Sequence, residues 1–585
     1  LGYVGADDGR GRFDKGSEDL YLGARYGRRQ RPLTPEEREA LVDALIASCR
    51  RRPQEHPRDM FYRWWGDNPF EIARHDPLST FSVDVDTASY TLARRYLAEG
   101  MLPEKAQIRT EEFVNYFRGD VPPPSEETFR VACELAPSLF SRSPDTWMLR
   151  VAIRGREVPR EQRKPLALTF VVDVSGSMRE QSRLELVKHA MRLLVGELDG
   201  RDSISIVAFT NDARLVLPMT SARHRGLIES AIHPLQPEGG TNVQAGLRMG
   251  YEAALAGLAA EANNRVVLLS DGVGNIGETD ADALNREVAR HRDSGIYLNT
   301  VGVGMNNHDD AFLEQLADKG DGICNYVDDE REARRALVEN FTGAFEPIAR
   351  DAKIQVEFDP AQVERYRLLG YENRAIADED FRNDAVDAGE VGSGHQVVAL
   401  YELVRTGRAD PEAPLATVRV RWKPPYQEMT SNSFLDVEAN ELAQPVYAAE
   451  AAASYAATGA GYRRSVLVGQ LAEFLRRSIH ARDDSFETLL SEARRLAPEL
   501  GDPDFDEFVK MVERTIELIS AEWGRYDRIA RHLDALRMQN YLRAQLEDLQ
   551  ADLDRARLEQ IDRQVQELEA EVRELLRNPE GTRVR

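Results

Sequence analysis

Leu166–Met178 reads LALTFVVDVSGSM, an apolar and β-branched run that stops at Asp173-Val174-Ser175-Gly176-Ser177. A run without polar alternation suits a strand covered on both faces, as in the middle of a parallel α/β sheet. Ligands of such sheets bind beyond the carboxyl ends of the strands. Asp173, Ser175 and Ser177 fall there, and they offer one carboxylate and two hydroxyls. The stretch therefore predicts a hard-cation site at the top of a doubly wound domain.

Working outward, residues 165–345 alternate strand and helix. Strands are expected at 166–173, 203–210, 213–218, 265–271, 296–303 and 322–327, and helices near 181–198, 222–233, 242–259, 280–294, 309–318 and 329–344. Such βα alternation predicts a mostly parallel sheet with helices on both faces. Polar/apolar alternation precedes it (FRVACELAPSL, TWMLRVAIRGREV) and follows it (AKIQVEFDP, YRLLGY, HQVVALYELV, LATVRVRWKP). The two β regions predict one β-sandwich, residues 121–164 plus 346–440, into which the α/β domain is inserted.

The remaining segments read as helical or flexible. Residues 1–66 are a leader, flexible to about residue 30, with a short helix Pro32–Arg50 capped by Thr34 and the aromatic pair in FYRWW behind it. Residues 67–120 hold a strand LSTFSVDVD, a helix from Thr87 and a second helix capped by Thr110. Residues 441–523 are expected to be helical, the Ala-rich VYAAEAAASYAATGAG included. Residues 524–585 form a long charged helix with Leu542, Leu546, Leu549, Leu553, Ala556, then Ile561, Val565, Leu568, Val572 and Leu575. That spacing is a coiled-coil seam with one discontinuity. It predicts either a homo-oligomer through residues 524–577 or a hairpin folded back on its own chain.

The bulk composition excludes several classes. A formal charge of -24 over 585 residues argues against nucleic acid as a partner, because phosphate binding needs a basic footprint. Cys49, Cys133 and Cys324 are odd in number and far apart, so neither a disulfide framework nor a zinc site is indicated. No apolar run approaches the roughly 20 residues of a membrane span. HExxH, Walker and GxSxG motifs are missing, which removes support for protease, nucleotide-hydrolysing and serine hydrolase chemistry. The sequence starts at Leu1 rather than Met, so an upstream signal or lipid anchor would place the protein in the cell envelope, periplasm or cell surface, and its absence in the cytoplasm.

Two more loops complete the site. Gly239-Gly240-Thr241-Asn242 lets the backbone approach closely before a helix, and Asp271-Gly272 ends the apolar strand RVVLLS. Three strand-end loops then contribute two carboxylates and three hydroxyls. DxSxS, the Thr of GGTN and the Asp of LLSDG resemble the metal-ion-dependent adhesion site of the von Willebrand factor type A domain. The resemblance implies that Ser175, Ser177 and Thr241 touch a divalent cation, with Mg²⁺ first and Mn²⁺ or Ca²⁺ as alternatives, while Asp173 and Asp271 act largely through water. It also implies that an Asp or Glu of a protein partner completes the shell. With NPF, LSTFSVDVDTASY, MLPEKAQIRTEEFVNYF and GHQVVALYELV, residues 67–525 resemble a bacterial type A family often labelled calcium-activated chloride channel homologues.

The expected function is a non-enzymatic, metal-dependent protein-binding module. One alternative is an oligomeric scaffold assembled by the terminal coil. Another is a phosphatase, because FSVDVDT carries the DxDxT in which haloacid dehalogenase-type enzymes place a nucleophile and an acid/base, here Asp84 and Asp86. His395 is expected to be a sandwich residue.

Overall fold

The computed structural model describes residues 67–577 apart from 273–280, 305–309, 426–437, 524–531, 544–554 and isolated positions, together with Asp43 and Ile46. The leader, the helix capped by Thr34, FYRWW, Cys49 and the seam residues Leu542, Leu546, Leu549 and Leu553 lie outside the described residues. The chain divides into two compact units, one of residues 69–95 and 109–469, the other of 1–68, 96–108 and 470–585.

Along the chain the strands are β1 (Glu71–Ile72), β2 (Leu78–Ser82), β3 (Phe129–Pro137), β4 (Thr146–Gly155), β5 (Leu166–Asp173), β6 (Ser203–Phe209), β7 (Ala213–Ser221), β8 (Asn263–Ser270), β9 (Ile296–Val303), β10 (Cys324–Val327), β11 (Pro347–Phe358), β12 (Val363–Leu369), β13 (Gly389–Gly392), β14 (Gln396–Arg405), β15 (Pro414–Lys423) and β16 (Asn440–Tyr447). The helices named below are α1 (Ala88–Ala98), α2 (Thr110–Asn115), α3 (Arg183–Glu197), α4 (Arg225–Ile232), α5 (Val243–Ala256), α6 (Ala281–Arg292) and α7 (Asp310–Lys319).

β5 to β10 form one six-stranded sheet of order β10-β9-β8-β5-β6-β7. All neighbours are parallel except β7, which runs antiparallel to β6 at the edge. Every residue of β5, β8 and β9 is buried, as the unbroken apolar runs predict, whereas β7 is half-exposed. Two apolar clusters cover the sheet. Phe170, Val172, Leu194 and Ile206 lie in one, Val171, Leu247, Leu268 and Leu313 in the other. From β5 the chain builds outward to β6 and β7, then returns to β8 on the other side of β5. That reversal places the ends of β5 and β8 side by side at the switch point, where an α/β sheet opens a crevice.

The flanking strands form two antiparallel sheets, β1-β12-β14-β4-β3 and β13-β11-β15-β16, with β2 added along β11. Their inward residues, among them Phe81, Leu149, Val151, Ile354, Val397, Tyr401, Val418 and Val420, share one apolar cluster. β4 precedes the α/β segment and β14 follows it, yet the two are hydrogen-bonded neighbours from Arg154↔Gln396 to Thr146↔Val404. The α/β segment is therefore an insertion. Glu346 fastens its base: Oε2 accepts from Lys164 N at 3.2 Å and from Asn263 Nδ2 at 2.7 Å.

Two local expectations need correction. Thr110 does not cap α2; Arg109 occupies that position, with extended backbone and no side-chain cap. Asn242 caps α5, its side chain accepting from Ala245 N at 3.0 Å. The Ala-rich stretch is not helical: Asn440–Tyr447 pairs with β15, two short 3-10 turns follow, and a helix begins only at Ala460. Pairing along β15 and burial of Val446 hold the start of this stretch extended, against the strong helical preference of the alanines that follow.

In the other unit, helices Phe486–Leu500 and Pro503–Trp523 pack together, and Arg555–Arg577 carries the second half of the seam. Ile561, Val565, Leu568 and Val572 are buried. So are Leu533, Ala535 and Leu536, and ion pairs join His532 to Glu571 (3.6 Å) and Arg543 to Asp562 (3.0 Å). The pairing runs antiparallel, so these four seam residues are covered by their own chain.

Candidate functional site

Asp173 is the last residue of β5, and a bare carboxylate there would be stranded by burial. It is instead held at both oxygens: Oδ1 accepts from Ser175 N at 2.8 Å and Oδ2 from Ser270 Oγ at 2.7 Å. The first bond curls the DVSGS loop back over the strand end. Ser175 Oγ and Ser177 Oγ share a hydrogen bond of 3.0 Å, and Ser177 Oγ donates to Asp271 Oδ1 at 3.0 Å. Asp173, Ser175, Ser177 and Asp271 thus form one connected polar chain, buried except for the half-exposed Ser177.

The glycine loop lies against it. Gly176 N donates to Gly239 O at 3.0 Å, and Glu238 N to Val174 O at 2.7 Å. Gly239 has φ +70, and a Cβ there would stand 3.3 Å from Thr210. That combination of handedness and close approach is what glycine permits. The loop also rests on the β6–β7 turn, where Asn211 Oδ1 accepts from Gly240 N at 2.7 Å and Thr210 O from Asn242 N at 2.7 Å. Thr241, buried between these anchors, is carried by the loop that touches the DVSGS loop. The five expected site residues accordingly stand on three loops at one end of the sheet.

The sequence reading missed Ser270, Asn211 and Arg183. Ser270 stood in the quoted LLSDG, where its alternation beside Asp271 was a signal. Arg183 had none. It is the first residue of α3, it is 2% exposed, and its Nη1 lies 2.5 Å from Asp271 Oδ2. Burial, and then the neighbouring charge of Asp271, pushes the Asp173 carboxyl up to about 6. Among the described residues no group of three or more His, Cys, Asp or Glu is placed to hold a metal ion. The oxygen set at this sheet end is rich in hydroxyls and contains only two carboxylates.

Asp84 and Asp86 are both buried in a second acidic cluster of the same unit. Arg374 reaches Asp84 at 3.1 Å, Asp318 at 2.8 Å, Glu314 at 3.3 Å and Asp86 at 3.5 Å. Asp86 Oδ1 accepts from Cys324 N at 2.9 Å. Arg109 pairs with Glu112 at 3.0 Å and with Glu314, while Glu112 accepts from Ser89 N and Glu111 from Tyr371 N. These buried aspartates hold segments together. His395 is half-buried, with Nε2 at 3.0 Å from Asn340, and desolvation followed by the charge of Arg154 pushes it down to about 4. Cys133 and Cys324 are free thiols.

Comparison with known proteins agrees with this arrangement. The model of the von Willebrand factor type A domain matches residues 168–273, a span that contains all five site residues. A model described as von Willebrand factor matches 56–146, and one described as uncharacterized protein YfbK, C-terminal, matches 343–518. Fold and site together define a von Willebrand type A domain protein. Uncharacterized protein YfbK of Escherichia coli (strain K12) is 36% identical over 412 residues, which are 66% of this chain and 71% of that protein. The chain belongs to the YfbK family.

Inter-alpha-trypsin inhibitor heavy chain H2 of Mesocricetus auratus is 28% identical over 207 residues, 34% of this chain and 22% of that protein. A solved structure, von Willebrand factor type A from Catenulispora acidiphila, aligns with a TM-score of 0.40 at 17% identity, covering 68% of this chain and 91% of that one. None of these three is described as a channel, and among the described residues no helix is long and apolar enough to cross a membrane.

Proposed function

We propose that the protein captures an acidic protein partner through a divalent cation held by Ser175, Ser177 and Thr241 and backed by Asp173 and Asp271, without catalysing a reaction. Type A domains are generally protein-interaction modules, often metal-dependent. The observation that carries the reading is the linked oxygen chain at the switch point. The 3.0 Å spacing between the Ser175 and Ser177 hydroxyl oxygens matches the edge, about 2.9 Å, of an octahedron with metal–oxygen bonds of 2.0–2.1 Å. A hard cation of that size, Mg²⁺ before Mn²⁺ or Ca²⁺, suits hydroxyl and carboxylate oxygens. The raised Asp173 carboxyl reports first its burial and then the neighbouring charge of Asp271, both of which a cation would offset.

When bound, the cation supplies a Lewis-acid position for a carboxylate oxygen from outside. Each protein group has a separate task. The hydroxyls are neutral and leave the positive charge largely uncancelled, Asp173 fixes the loop through Ser175 N and Ser270 Oγ, and Asp271 orients Ser177. The experiment is capture of partners from an extract of the source cell by the full chain, with and without EDTA and with Asp173→Ala. Capture should require both the cation and Asp173; capture indifferent to both sinks the reading. For localisation we propose the cell envelope, and fractionation of cells producing the full-length protein tests it.

A further inference from the structure

A salt bridge between Arg183 and Asp271 is unexpected inside a cation site, because a guanidinium repels the ion the carboxylate should attract. It is nonetheless built in. Ser182, just before it, takes a left-handed backbone (φ +58), a conformation uncommon for a residue with a side chain. On the far side, a Cβ added to Gly304 would strike Arg183 Nε at 2.1 Å. The absent side chain of Gly304, at the end of β9, is what gives the guanidinium its channel. Arg183 is 2% exposed and Asp271 equally so, and Glu180, a second acidic neighbour at 3.6 Å among the described residues, is exposed.

The charge count follows. Among the described residues joined at this sheet end, Asp173 and Asp271 contribute two negative charges and Arg183 one positive, so a divalent ion brings their sum to plus one instead of zero. Buried charges of one sign are costly. The cation is therefore held less tightly alone than two carboxylates would allow, and an incoming carboxylate gains correspondingly.

Building on the metal reading above, we propose that Arg183 is a positioning and charge-setting residue that makes cation and acidic ligand bind cooperatively. Linkage then requires each to tighten the other by the same factor, within the ordinary range of about 5- to 150-fold.

The test titrates the full-length chain with Mn²⁺, read by loss of the free-ion paramagnetic signal, in chloride and in acetate at matched ionic strength. For the wild type, acetate should tighten Mn²⁺ binding about fivefold or more. Arg183→Gln should bind Mn²⁺ alone about tenfold tighter and lose most of the acetate effect, whereas Arg183→Lys should resemble the wild type. If Arg183→Gln does not fold by thermal melting, Arg183→Met, which keeps the apolar stem, is measured in its place. Wild-type Mn²⁺ binding indifferent to acetate overturns the proposal whatever the variants do. So does an uncharged variant that binds Mn²⁺ no tighter, the result expected if Arg183 merely aims Asp271; in both cases the metal reading survives. Binding by the uncharged variant alone upholds the role of Arg183, and binding by neither protein removes this proposal and the metal reading together.

Discussion

Two clusters of buried carboxylates sit in the same compact unit and differ in what closes them. Around Arg374 and Arg109, six acids (Asp84, Asp86, Glu111, Glu112, Glu314 and Asp318) are tied to two guanidinium groups and to backbone N–H groups from three separate stretches of chain. At the end of β5 and β8, two acids face one guanidinium and a row of hydroxyls, with Ser177 half-exposed. DxD and DxSxS look alike as sequence. The first is consumed by the fold, while the second keeps oxygens at a surface, and the neighbours make that difference.

The comparison can be broken most severely at Arg374. Arg374→Leu strands several buried carboxylates and should cost about 3–5 kcal/mol in urea unfolding; a loss under 1 kcal/mol would mean that the cluster is not closed as described. At the other cluster, Mg²⁺ at a hundred times its Kd should add about 2.7 kcal/mol to stability, visible as a rise in Tm that Asp173→Asn abolishes. An equal rise in that variant would place the ion elsewhere.

The third contrast is with pH. Burial, then the charge of Glu372, raises Glu111 to about 7, and burial, incompletely offset by Arg109, raises Glu112 to about 8. Their folded values exceed the unfolded ones, so the folded state holds more protons across that interval. Stability from these groups is complete below pH of about 4.5 and is lost as pH rises through 7 to 8. Urea midpoints between pH 5 and 9 should fall more steeply for the wild type than for Glu112→Gln; parallel curves would contradict the raised values. The smallest effect is expected of Glu111→Gln at neutral pH. One of its oxygens accepts from Tyr371 N and the other has no partner, so the change should stay within about 0.5–1.5 kcal/mol, the net worth of one hydrogen bond.

Part of the candidate site was legible because Asp173 and Asp271 stand at the ends of apolar runs, which fix where the strands stop, while Thr241 was marked by the Gly-Gly pair before it. Asp173 and Asp271 needed only that rule. Arg183 could not be read, since ten residues after Asp173 it resembles any exposed residue opening a helix, and its burial depends on Gly304, four strands further along the chain. β16 was hidden because its last two residues open an alanine-rich stretch that reads as helix, and β1 and β13 span only two and four residues, too short to display a period. The terminal seam showed its spacing but not its partner, because an oligomer and a hairpin share one pattern. Burial of Ile561 to Val572 beside Leu533 and Leu536 within a single chain favours the hairpin. Light scattering of a truncation ending at Glu522 should accordingly report an unchanged assembly mass.

The pairing of β4 with β14 also orders events in time. As the chain leaves the ribosome, β3 and β4 emerge as a two-stranded ribbon whose next neighbour has not yet been made. An isolated hairpin is marginal in water, and its open edge must wait through synthesis of the entire insertion. The insertion can meanwhile form its own sheet and both of its apolar faces from local βα units. Once it does, its ends are drawn together at Lys164 and Glu346, and the late strand finds β4 at short range instead of across a long flexible loop. The type A domain is thus the assembly jig of the scaffold that carries it.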